Sequence, residues 1–211
     1  MQFFIDSCDI QKILQFYEIG LVDGVTTNPS LIAKSGRQQL EVLKEMCELI
    51  KCPISAQVNS SNVYDMLKEA ETLVALGNQI VIKVPATWDG LKVCKKLSSN
   101  GVPVNVTLCF STTQALLIAK AGAAYVSPFV GRLDDIGSDG ISLIHDIHTA
   151  YSSYPDIETE ILVASVRTPF HIAESAKLGA DIVTVPPNVL EQAMRHPLTT
   201  EGLEIFQSAA K

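Results

Sequence analysis

The chain has 211 residues, 47% of them hydrophobic and 18% charged, with a formal net charge of −7. That length and balance suit one domain with one buried core and exclude a disordered chain. No run of Lys or Arg exceeds the pair Lys95-Lys96, so there is no footprint for nucleic acid or an anionic membrane surface.

The N-terminal stretch, MQFFIDSCDIQ, lacks a basic n-region, and no later segment nears the roughly 20 apolar residues of a membrane span. A soluble, cytoplasmic protein is expected. Cys8, Cys47, Cys52, Cys94 and Cys109 make an odd set with no C-x-x-C pair or metal-ligand spacing, which fits free thiols in a reducing compartment. Cys109, beside a strand end, is the nearest to a chemical role, but a buried cysteine ordinarily serves as a small hydrophobe.

Eight short apolar, β-branched runs follow one another: 3–6 (FFID), 24–28 (GVTTN), 54–58 (ISAQV), 80–85 (IVIKVP), 104–108 (VNVTL), 125–130 (YVSPFV), 161–165 (ILVAS) and 182–186 (IVTVP). They are nearly continuous instead of alternating, the pattern of parallel strands buried on both faces. Amphipathic segments lie between them, such as 38–51 and 62–76, the second closed by Gly77 as a helix C-cap. Strand and helix alternate without a linker or low-complexity stretch, and no G-x-G-x-x-G follows the first strand. The prediction is therefore an α/β fold, a closed (β/α)₈ TIM barrel in a single domain over 1–211, and no dinucleotide cofactor. After the eighth strand, 187–194 reads as a short helix. Residues 199–211 read as a C-terminal tail helix whose Leu203, Ile205 and Phe206 need a surface to cover, on its own barrel or on a neighbouring subunit.

Barrels of this kind gather their chemistry at the C-terminal ends of the strands. Here those ends carry Asp6, Thr26 with Asn28, Gln57, Lys83, Asn105 with Thr107, Ser127, and Ser165 with Arg167; the eighth, at Val185, is bland. Any one such residue is ordinarily a turn former or helix cap. Seven strands of eight point instead to a shared polar mouth.

Lys83 is the sharpest signal. Inside IVIKVP its ammonium either snorkels to the mouth or sits in a poorly solvated site, with a structural ion pair to Asp6 as the bland alternative. Desolvation lowers a lysine pKa, and a partly neutral lysine is what attack on a ketose carbonyl requires. The resulting imine permits C3–C4 cleavage and stores the carbanion as an enamine, with no metal or cofactor needed. Gly131-Arg132 and Ser165-Val166-Arg167 follow the sixth and seventh strands, where two guanidiniums can converge on a phosphate. His145 and His148 flank Asp146 on a helix without a third ligand in view, so no metal is expected there. His171 and His196 lie near helix ends, where surface or capping roles suffice.

DGVTTNPSLI (23–32), IVIKVPAT (80–87), NVTLCFS (105–111), VSPFVGR (126–132) and ASVRTP (164–169) resemble the small transaldolase family, which also contains the fructose-6-phosphate aldolases. The likeness runs from FFIDS to at least Pro186. It implies a Schiff base at Lys83, proton transfer by Asp6, and binding of the dihydroxyacetone part by Asn28, Asn105 and Ser127, with Thr26 beside them. It implies a catalytic water positioned by Thr107 with Gln57, and phosphate binding by Arg132, Ser165 and Arg167. Phe129 is the transaldolase-like residue, where the aldolases carry a tyrosine. Gln57 is aldolase-like, where most transaldolases carry a glutamate. Arg167 suits a phosphorylated donor better than the lysine common in aldolases.

The expected activity is transfer of a dihydroxyacetone unit from fructose 6-phosphate or sedoheptulose 7-phosphate to an aldose phosphate, a pentose phosphate pathway step. The alternatives are a fructose-6-phosphate aldolase, or a catalytically silent sugar-phosphate-binding barrel, which Gln57 keeps open. Small sugar phosphates are then the partners, and the resemblance implies a homo-oligomer of five or ten copies.

Overall fold

We describe residues 1–210 in a computed structural model of the chain; Lys211, the last residue of the predicted tail, lies outside the described residues. The strands are β1 (Gln2–Asp6), β2 (Gly24–Thr26), β3 (Ile54–Gln57), β4 (Ile80–Pro85), β5 (Val104–Cys109), β6 (Tyr125–Pro128), β7 (Glu160–Val163) and β8 (Ile182–Val185). The helices are α1 (Ile10–Tyr17), α2 (Pro29–Ser35), α3 (Gln39–Leu49), α4 (Val63–Val74), α5 (Trp88–Ser98), α6 (Thr112–Lys120), α7 (Val130–Asp134), α8 (Gly140–Ser152), α9 (Pro169–Lys177), α10 (Pro187–Ala193) and α11 (Pro197–Ala209).

The eight strands close in chain order into a parallel barrel, β8 pairing with β1 from Gln2↔Ile182 to Ile5↔Val185. This is the predicted (β/α)₈ TIM barrel, with the C-terminal helix in place. Ile5, Val25, Ile54, Ile82, Val104 and Val126 are fully buried, which is why each strand reads as an apolar run with no solvent face. Most of the helices wrap outside and bury one stripe, as α4 does with Met66, Ala70 and Leu73, whereas α2 and α11 bury no residue. Seven of them begin at an Asp, Asn, Ser or Thr whose side chain accepts a first-turn N–H. No helix among the described residues is long and apolar enough to cross a membrane.

Five predicted strands run past the observed ends, and in three of them the excess carries site residues. β2 stops at Thr26 because Asn28 turns to cap α2. β6 stops at Pro128 because Val130 already starts α7. β7 stops at Val163, just before Ser165 takes a positive φ of 60°. Gly77 is not the C-cap of α4. The helix ends at Ala75 in right-handed geometry, and Gly77 serves close packing, since a Cβ there would lie 2.6 Å from the Gln79 side chain. The tail has found no cover on its own barrel: α11 has no buried residue, and Leu203, Ile205 and Phe206 are exposed.

Candidate active site

A cavity of about 560 Å³ opens at the C-terminal ends of the strands, the face on which barrels of this type carry out their chemistry. Eleven of the twelve predicted site residues line it: Asp6, Thr26 and Asn28; Gln57, Lys83 and Thr107; Ser127, Phe129 and Arg132; Ser165 and Arg167. Asn105 is the exception. Its side chain is fully buried behind the lining, accepting from the Ser127 hydroxyl at 2.7 Å and donating to Ser55 Oγ at 3.2 Å. It fixes the orientation of Ser127, and one hydrogen bond separates it from the cavity.

Lys83 is only 5% exposed, and its Nζ donates to the Thr27 carbonyl oxygen at 3.0 Å. Among the described residues it makes no ion pair, so the structural pair with Asp6 is not formed. Burial pushes the ammonium below its ordinary pKa, more than the nearby Asp6 carboxylate raises it. Asp6, at the end of β1, is pushed the other way: burial holds it above the usual carboxylate range against the pull of Lys83, Thr26 and Asn28. Burial thus moves the acid's pKa up and the amine's pKa down, towards one another, which eases passage of a proton between these groups and a substrate. The Thr26 hydroxyl lies 2.8 Å from Asp6 Oδ1 and 2.6 Å from Thr184 Oγ1, tying β1, β2 and β8 together at the mouth.

Thr184 is a polar end for the eighth strand that sequence reading passed over in favour of Val185. The signal was present as the one hydroxyl in IVTVP. Lys34 also lines the cavity from α2, and sequence gave no sign of it. Across the site, Leu108 has a φ of 60° where the β5–β6 register shifts, a local irregularity beside Thr107. The Thr107 hydroxyl is buried and finds no partner among the described residues, leaving it available to an incoming oxygen. Cys109 is fully buried and its thiol is pushed up to about 11, which removes it as a nucleophile at neutral pH.

The remaining wall comes from the ends of β6 and β7, zipped beyond the strands by Val130 N–H to the Ala164 carbonyl and Gly131 N–H to the Ser165 carbonyl, each 3.1 Å. Phe129 packs edge-on against Phe110 with centroids 5.8 Å apart, and the Arg132 guanidinium lies 5.2 Å from the Phe129 ring centre. Arg167 approaches the same wall with its guanidinium forked onto the Asp135 carboxylate. That pair is about half exposed at each end, and the arginine holds the Asp135 carboxyl below its usual range. Such an exposed pair contributes little to stability and leaves the Nε edge of the fork unspent.

Fold and site together define a (β/α)₈ barrel with a buried lysine and two arginines around one polar pocket. Residues 3–211 match the family described as Transaldolase/Fructose-6-phosphate aldolase, and the chain belongs to that family. It is 54% identical over 208 residues to a protein named probable transaldolase from Parvibaculum lavamentivorans, covering 99% of this chain and 95% of that one. It is 53% identical over 211 residues to a protein of the same name from a Ruegeria species, covering 100% and 97%. A third, from Brucella anthropi, is 55% identical over 206 residues, covering 98% and 94%.

Proposed function

We propose that the protein is a transaldolase, moving a dihydroxyacetone unit from fructose 6-phosphate or sedoheptulose 7-phosphate to an aldose phosphate through a Schiff base on Lys83. The observation that carries this reading is a lysine 5% exposed, with a lowered pKa, lining a cavity at the C-terminal mouth of the barrel. The neutral amine attacks the ketose C2, and loss of water gives the imine. Asp6 takes the C4 hydroxyl proton as the C3–C4 bond breaks, and the aldose phosphate departs. An acceptor aldehyde then adds to the enamine, and water drawn in beside Thr107 and Gln57 hydrolyses the new imine.

The sugar end rests on Asn28 and Ser127, with Asn105 orienting the latter. The phosphate rests on Arg132, Arg167 and Ser165, two cations in a chain of net charge −7. Phe129 offers no hydroxyl to protonate the enamine, which favours waiting for an acceptor over releasing dihydroxyacetone. Gln57 supports the second reading, a fructose-6-phosphate aldolase, because no glutamate shares the catalytic water. Five free cysteines suit the reducing cytoplasm, where we put the reaction. A homo-oligomer would cover the exposed apolar face of α11.

The test is borohydride reduction in the presence of fructose 6-phosphate, with the adduct mapped by mass spectrometry. Wild type should trap the sugar on Lys83, and Lys83→Arg should not trap it; undiminished trapping in the variant removes Lys83 from the mechanism. Acceptor-dependent transfer should exceed acceptor-independent cleavage in the wild type. Cleavage as fast as transfer would replace the transaldolase with the aldolase.

A further inference from the structure

The backbone of Arg167 is held by a group that the reaction scheme leaves unused. His171 is 8% exposed and is the third residue of α9, whose N-cap is Thr168. The Thr168 hydroxyl oxygen accepts from the His171 N–H at 3.3 Å, and His171 Nδ1 in return accepts from the Arg167 N–H at 3.2 Å. This is the reciprocal form of a capping box, except that the side chain reaches one residue further back, to the residue that carries the guanidinium.

An Nδ1 that accepts leaves the ring proton on Nε2, and Nε2 lies 2.9 Å from Asp134 Oδ2. Asp134 closes α7, the helix that carries Arg132, and its other oxygen accepts from the Gly140 N–H at 3.1 Å. Two hydrogen bonds and the close Nε2–carboxylate contact between them therefore join the helix of one arginine to the loop of the other. Capping alone does not require this, since a glutamine or glutamate at that position satisfies a helix start without a partner on another element. The buried imidazole spends its second nitrogen on a neighbouring helix, and neither His171 nor Asp134 lines the cavity.

The geometry points to His171 and Asp134 as positioning residues that hold Arg132 and Arg167 at a fixed separation, so that both guanidiniums close on one substrate phosphate. This rests on the phosphate role given to those arginines above. Preorganisation of this kind acts on binding of the phosphorylated end and leaves the chemistry at Lys83 untouched.

Steady-state kinetics with fructose 6-phosphate and with unphosphorylated fructose, for His171→Leu, His171→Gln and Arg167→Ala, test it. His171→Leu is expected to raise KM for fructose 6-phosphate about tenfold while changing kcat, and both parameters for fructose, by less than about twofold. His171→Gln, which offers both an acceptor and a donor, should restore most of the loss. Equal losses on both donors in His171→Leu, with Arg167→Ala still selective for the phosphorylated one, make His171 a helix cap only and overturn the proposal while the phosphate reading stands. If Arg167→Ala is itself unselective, the phosphate reading falls and the inference with it. Should His171→Leu fail to fold, Asp134→Ala at the exposed end of the chain must show the same selectivity, and an unselective result there overturns the proposal equally.

Discussion

Asp6 and Lys83 are held off their ordinary ionisation by the same cause, burial, acting in opposite directions on an acid and a base. The carboxylate still raises the lysine, so removing it has a definite sign. In Asp6→Asn the Lys83 pKa drops further, more of the amine is neutral at a given pH, and the acid limb of imine formation should move to lower pH. The pH dependence of the borohydride-trapping rate measures this directly, independently of whether the variant turns over. A limb that stays in place would mean that the two groups do not sense one another. Lys83 was legible in sequence because a lysine inside IVIKVP contradicts the apolar run around it. Lys34 was not, because a lysine on an exposed helix reads like any solvated charge until the helix is seen to stand at the mouth. His171 was visible only as a residue near a helix start; its link to Asp134 depends on how α7 packs beside α9, which no local pattern encodes.

The β6 and β7 ends owe their closeness to the absence of a side chain. A Cβ on Gly131 would lie 2.3 Å from the Ser165 carbonyl oxygen and 2.8 Å from Arg167 Nε, so the loop after β7 packs directly onto α7. Gly131→Ala must push those segments apart. The expected result is a folded protein destabilised by about 1–3 kcal/mol, the usual cost of overpacking, with a raised KM for fructose 6-phosphate and little change for fructose. Thermal unfolding and the two donors report the two effects, and an unchanged KM would show that this contact does not set the arginine spacing. At this scale the strands were readable from sequence because burial on both faces leaves an uninterrupted apolar signature. The helices α2 and α7 were missed because the segments they grow out of look like strand, 24–28 running up to α2 and 125–130 running into α7.

For the whole molecule, the least settled surface is α11, where Leu198 is 67%, Ile205 59% and Phe206 73% exposed. A contiguous apolar face on a helix with nothing buried beneath it fits contact between copies. Sedimentation velocity should find the full chain assembled at micromolar concentration, and deletion of residues 196–211 should release smaller species whose circular dichroism remains that of a barrel. A full-length chain that sediments as a monomer would remove this face as an interface. The sequence made the tail's apolar character plain, but not where it packs, because that depends on surfaces outside the tail.

The pairing of β1 with β8 has a consequence for how the protein is made. Gln2 to Ile5 find their partners at Ile182 to Val185, about as far apart along the chain as two strands here can be. During vectorial synthesis the first strand emerges early and waits with one hydrogen-bonding edge unsatisfied until nearly the whole chain has left the ribosome. The Thr26–Thr184 contact beside Asp6 spans the same seam, so the acid end of the pocket is among the last parts to be completed. A nascent chain stalled before residue 182 would hold Lys83 on a formed strand and yet lack a closed mouth, and its open β1 edge would be the place where such intermediates meet chaperones or one another.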